Sequence, residues 1–148
     1  MALAELIGMQ SEPFELIVEH GKVREFARAT RAEHASYRED PAPAIPPTFL
    51  AVAAHWAPHE QALLERIPGE PRRRLHGEQE LTFPGPPPRA GARLRGQTRV
   101  EAAYEREGGR GGRLRFYVLA TEYCDAEGVT VAVSRTTVIE TERPPESS

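Results

Sequence analysis

Apolar and polar residues alternate from Arg93 to Glu107. Leu94, Thr98, Val100, Ala102 and Tyr104 fall on one side; Arg93, Arg95, Gln97, Arg99, Glu101 and Glu105 fall on the other. Period two over so long a run predicts a half-exposed strand. Leu114 to Tyr123 is apolar in both phases, which predicts a central strand covered on both sides. Val129 to Thr141, Leu75 to Phe83 and the short Phe14 to Glu19 complete the predicted strands. His20-Gly21 is expected to end the first of these. The period then changes: Val23, Phe26, Ala27 and Thr30 share one helical face, which predicts an amphipathic helix from Lys22 to about Ala32.

Phe49 to Trp56 is apolar on every face, the pattern of a helix surrounded by protein, with Phe49 and Trp56 as core. Pro58 should interrupt it, and a second piece, His59 to Ile67, should stop at Pro68-Gly69. Prolines 41, 43, 46 and 47 make Glu33 to Pro47 irregular, since each removes an N–H and restricts the residue before it. Pro84 to Gly91 and Gly108 to Gly112 read as connections, Asp125 to Gly128 as a turn, and residues 143–148 as a polar tail. The order is strand, helix, proline loop, central helix and four strands joined largely by hairpins. That order predicts a single α+β domain over residues 1–148.

Composition narrows the function classes. A net charge of −3 argues against nucleic acid and membrane surfaces as partners. The short arginine clusters (Arg72 to Arg74, Arg110 with Arg113) are flanked by glutamates. Cys124 is the only cysteine, so neither an internal disulfide nor a cysteine zinc cluster is possible. No apolar stretch approaches the ~20 residues that span a bilayer. Met1 to Gln10 lacks the features of a secretion signal, so a cytoplasmic location is expected.

Few residues carry candidate chemistry. His34 is the best polar candidate in the proline-loop region. His55 and His59 have the spacing of a metal pair, but Pro58 intervenes and no metal or other cofactor is expected. His76 precedes Gly77 near a strand start. Cys124 has no identifiable base and reads as a small buried residue. Glu39 and Asp40 lie in the proline loop as candidate carboxylates.

Three stretches, in order, carry a resemblance: Lys22-Val23-Arg24-Glu25-Phe26-Ala27-Arg28-Ala29; Ile45-Pro46-Pro47-Thr48-Phe49-Leu50; and His76-Gly77-Glu78-Gln79 followed by Pro88-Arg89-Ala90-Gly91. Together they resemble the MaoC-like (R)-specific enoyl-thioester hydratases and dehydratases, and more narrowly the N-terminal-type domain that includes the A subunit of actinobacterial (3R)-hydroxyacyl-ACP dehydratases. The resemblance implies a hotdog fold, a curved antiparallel sheet wrapped around one long central helix. In catalytic members a Gly-Asp-x-Asn-Pro-x-His motif follows the first helix, and its Asp and His hold the water that adds to the enoyl thioester. A backbone N–H at the central-helix start polarises the carbonyl.

The motif's Asp position falls here on Ala32, its Asn on His34, its Pro on Ala35 and its His on Tyr37. The carbonyl-binding glycine falls at or beside Pro47, and proline has no N–H. The resemblance therefore implies no catalytic residue in this chain. It implies instead an acyl-chain-binding subunit that works with a catalytic hotdog partner. His34, Tyr37, Ile45, Pro47, Thr48, Phe49 and Val52 would contact an acyl-CoA or acyl-ACP substrate. Alternatives are an acyl-CoA thioesterase acting as a homodimer, with Glu39 or Asp40 as its carboxylate, and a non-enzymatic acyl-thioester-binding module.

Overall fold

The structure is a computed structural model, and it describes residues 1–57, 59–109 and 111–142. The kink expected at Pro58, Arg110 of the hairpin tip and the 143–148 tail lie outside the described residues. Five strands, β1 (Phe14–Ile17), β2 (Arg74–Thr82), β3 (Arg93–Glu107), β4 (Arg113–Cys124) and β5 (Thr130–Thr141), form one antiparallel sheet in the order β1-β3-β4-β5-β2. The doubly apolar stretch from Leu114 is therefore the central strand. The helices are α1 (Leu3–Leu6), α2 (His20–Ala29), α3 (Ser36–Glu39), α4 (Ala53–Trp56) and α5 (His59–Glu65). Among the described residues no helix is long and apolar enough to cross a membrane.

The central helical region lies against the sheet in pieces. A 3-10 turn, Phe49–Val52, leads into α4, and α5 follows. Two apolar clusters hold the layers together. One joins Leu16, Val18, Val23, Ile45, Phe49, Leu50 and Ala53 to Leu94, Tyr123 and Ala132. The other joins Leu6, Leu63 and Ile67 to Val100, Tyr117, Leu119 and Val138. Each fully buried aliphatic side chain contributes about 1.5–3 kcal/mol. Arg74 fixes the end of α5: its guanidinium donates to the carbonyls of Leu64 (2.7 Å) and Ile67 (2.8 Å) and pairs with the buried Glu140 at 3.2 Å. A cation there satisfies carbonyls that the helix leaves open.

Several expectations need correction. The helix α2 begins at His20, with Glu19 as its N-cap, so His20-Gly21 lies in the first helical turn. The Phe49–Trp56 run is not surrounded by this chain. Phe49, Leu50 and Ala53 are buried, but Ala51, Ala54 and His55 are exposed and Trp56 is 42% exposed. No described element covers that face. In β3 the register slips between Val100 and Ala102. After the slip Ala103, not Ala102, packs on the second cluster, and Tyr104 stacks on Phe116 with ring centroids 4.9 Å apart. A bulge moves every later side chain to the other face. The segment ahead of β1, for which no element was predicted, carries α1 with Leu6 buried, and Gln10 bridges to Arg99 on β3.

Candidate functional site

The helix α2 ends in a tight hydrogen-bonded cap. The N–H of Ala32 donates to the Ala27 carbonyl (2.8 Å) and that of Arg31 to the Arg28 carbonyl (3.2 Å). This paired pattern requires a left-handed residue, usually glycine, at the position Arg31 occupies. Arg31 sits there at φ 55°, the one non-glycine residue with positive φ among those described. The backbone then turns through α3. His34 Nδ1 accepts from the Ser36 N–H (3.3 Å) and lies 2.7 Å from the Ser36 hydroxyl, so its proton belongs on Nε2. Tyr37 is half-buried, touches the His34 ring edge-on at 6.3 Å and packs against the first core cluster.

The proline loop is stapled to the connection between β2 and β3. The Ile45 N–H donates to the Pro88 carbonyl and the Ala90 N–H to the Pro43 carbonyl, both at 2.9 Å. Asp40 caps the Ala42 N–H (2.8 Å) and pairs with Arg89. The Ala42 N–H first, and Arg89 with it, hold the Asp40 carboxyl below its ordinary range. The structure therefore spreads the seven expected contact residues over three depths. Pro47, Thr48 and His34 are at the surface, Tyr37 and Val52 are half-buried, and Ile45 and Phe49 lie inside the core. The Phe49 ring meets Phe26 edge-on at 5.6 Å. Tyr37 and Ala32 together border a cleft of about 510 Å³ between α2 and α3.

The other candidates lie apart from this region. His59 is buried and stacks on Phe14 at 3.7 Å, while His55 is exposed. Burial lowers the His59 pKa, opposed by the Ala57 carbonyl. No group of three potential metal ligands exists among the described residues. His76 sits on the edge strand β2 with Nε2 3.1 Å from Gln79 Oε1. Cys124 is half-buried, with its sulfur 3.9 Å from the Thr130 hydroxyl.

One polar centre was not foreseen. Glu60, in the first turn of α5, faces a row of sheet hydroxyls. Thr121 donates to it at 3.2 Å, and Thr136 lies 3.2 Å from Oε2. Thr98 bonds to Thr121 at 2.7 Å, and Gln79 lies 3.1 Å from Thr136 and donates to Ser134 at 2.7 Å. Among the described residues no cation hydrogen-bonds to Glu60, and burial pushes its pKa up against the pull of the two threonines and His76. The same burial, with Glu60 nearby, pushes the Tyr123 phenol well up. The visible signal was hydroxyl residues at inward-facing positions of three adjacent strands (Thr98, Thr121, Ser134, Thr136). That pattern calls for a polar group on the helix opposite.

The sequence matches the family model of the FAS1-like dehydratase domain region over residues 5–134, and the chain belongs to that family. Solved structures with the same fold are MaoC-like dehydratases. A chain of the HadBC (3R)-hydroxyacyl-ACP dehydratase complex from Mycobacterium tuberculosis aligns with TM-score 0.75 and 21% identity, over 93% of this chain and 99% of that one. The MaoC-like dehydratase from Rhodospirillum rubrum aligns with TM-score 0.61 and 19% identity, over 98% and 99%. A chain of the ChsH1-ChsH2 complex from M. tuberculosis aligns with TM-score 0.68 and 12% identity, over 99% and 91%. At these identities the likeness establishes the hotdog fold. No curated protein matches the chain.

Proposed function

We propose that this chain is the acyl-chain-binding, non-catalytic subunit of an (R)-specific enoyl-thioester hydratase or 3-hydroxyacyl-thioester dehydratase. One observation carries the reading. At the end of α2, where catalytic relatives place Asp and His, this chain places Ala32 and Tyr37. Arg31, directly before Ala32, holds the left-handed conformation suited to the motif's glycine, which supports that register. The backbone turn is thus kept while its proton-transfer groups are absent. Alanine carries no proton, and a phenol with a reference pKa near ~10 is a poor base at neutral pH.

The partner reading has its own support. The outer edge of β2 has no neighbouring strand among the described residues, and free edges are where sheets add strands. The exposed side of α4 presents Ala54 and Trp56 beside His55, and exposed apolar side chains of this size suit a second chain. The HadBC and ChsH1-ChsH2 structures above are complexes in which a chain of this fold has a partner. A thioesterase using Asp40 fits less well, because that carboxylate is already committed to Ala42 and Arg89. A cytoplasmic location goes with this reading. Co-expression with a hotdog chain that carries an intact Gly-Asp-x-Asn-Pro-x-His motif should give a stable complex. That complex should hydrate crotonyl and longer enoyl thioesters, while this chain alone should not. Full hydratase activity from this chain alone would overturn the reading.

A further inference from the structure

We propose that the free edge of β2 receives a basic strand from a different chain and disfavours a second copy of this one. This rests on the reading above that the chain works with a partner chain. Residues Arg74–Thr82 form the edge, and no strand lies beyond it among the described residues. His76 and Gln79 face the helical layer, beside the buried Val138 and Thr136 of β5, yet both are exposed. The helical layer therefore stops short of the edge and leaves a step for another chain to cover. At the end of the strand Leu81 and Phe83 pack on the cluster of Phe49, whose ring meets the exposed Trp56 at 6.3 Å. The edge and the open side of α4 are thus joined through one cluster.

Charge selects the partner. On the outer face of the sheet acid and base alternate across the strands: Glu101 of β3 takes Arg135 of β5 at 2.7 Å, and Arg135 takes Glu80 of β2 at 3.1 Å. The row ends on a carboxylate at the free edge, and Glu78, two residues away on the same face, adds a second. A base on the next strand continues the row. A second copy would bring acids instead. Two copies that pair here antiparallel are related by a two-fold axis. In the regular half of β2, an axis at Glu78 sets Glu78 against itself, one at Gln79 sets Glu78 against Glu80 twice, and one at Glu80 sets Glu80 against itself. Like charges directly opposite one another weaken a strand pair. An axis between residues would oppose side chains of different faces. Pairing through the other half must cross the register shift between His76 and Glu78 in both copies. An axis at Leu81 leaves few pairs, since β2 ends at Thr82.

A copy of the chain with Glu78→Lys/Glu80→Lys is a partner of the stated chemistry. Sedimentation velocity of the intact chain, the basic copy and their mixture tests the selection. The mixture should form a 1:1 dimer at least ~5-fold tighter than either chain forms with itself. The preference should shrink as salt rises, and amide exchange over residues 78–82 should slow in the mixed dimer. Glu78→Gln/Glu80→Gln, which leaves the edge uncharged, is a second variant and should pair with itself more tightly than the intact chain does. An intact chain that pairs with itself as tightly as the mixture does overturns the proposal. So does a Gln variant no tighter than the parent, association that leaves exchange along β2 unchanged, or no association in any sample. None of these samples contains a catalytic partner, so their failure leaves the subunit reading standing. An inactive co-expressed complex would sink that reading and leave the selectivity of the edge in place.

Discussion

Glu60 offers a sharp test of how the helical layer is held on the sheet. Thr136 has one hydroxyl proton and two acceptors within reach, the Glu60 carboxyl and Gln79 Oε1. Once protonated, Glu60 can donate to Thr136 and free the Thr136 proton for Gln79, while Thr121 donates to the other Glu60 oxygen. An ionised Glu60 would compete with Gln79 for the Thr136 proton and would lie half-buried with no hydrogen-bonded cation among the described residues. The folded state therefore keeps the Glu60 proton to a higher pH than the unfolded chain does. The contribution is fully present below the ordinary value of 4.5 and is lost as pH rises through the raised folded pKa. Each unit of that rise removes about 1.4 kcal/mol. Glu60→Gln keeps an acceptor for Thr121 and a donor for Thr136 and has nothing to titrate. Urea unfolding between pH 4.5 and 8 should show the Gln variant gaining on the parent as pH rises, until the difference levels off. Glu60→Ala should lose about 1–3 kcal/mol at pH 5, the cost of stranding buried hydroxyls. A parent–Gln difference that stays constant with pH would refute the neutral acid. An unchanged Ala variant would refute the network.

Three further substitutions probe the fold. A Cβ at Gly96 would fall 2.1 Å from the Phe14 ring, so Gly96→Ala should cost about 1–3 kcal/mol, read as a lower urea midpoint. Arg74→Met should cost roughly 3–5 kcal/mol, because Glu140 is left buried without its nearest partner and the α5 carbonyls lose their donor. Arg31→Gly should raise thermal stability by about 1 kcal/mol despite removing a charge, since it relieves a left-handed arginine.

The strands were legible because their side chains alternate over long runs. The bounds of β3 follow directly from Arg93 to Glu107, and α2 follows from the spacing of Val23, Phe26 and Ala27. What failed depended on groups far apart in sequence. The β3 bulge leaves no mark on the alternation, yet it moved Tyr104 to the face of Phe116. Trp56 read as core because an all-apolar run does not mark which of its faces the sheet leaves open. Glu60 meets Thr121 and Thr136, 61 and 76 residues away, and only the sheet brings them together. The cleft bordered by Arg24, Arg28, Arg31 and Arg38 was not legible, since the turn that gathers them depends on a backbone cap with no glycine to announce it.

The central claim is that proton transfer belongs to a partner and not to this chain. Steady-state hydration of crotonyl-CoA by the co-purified complex tests it directly, comparing Tyr37→Phe in this chain with replacement of the motif Asp in the partner. The account predicts that kcat survives the loss of the Tyr37 hydroxyl and collapses with the partner's Asp, and that this chain alone is inactive. Turnover by this chain alone that disappears in Tyr37→Phe would contradict it.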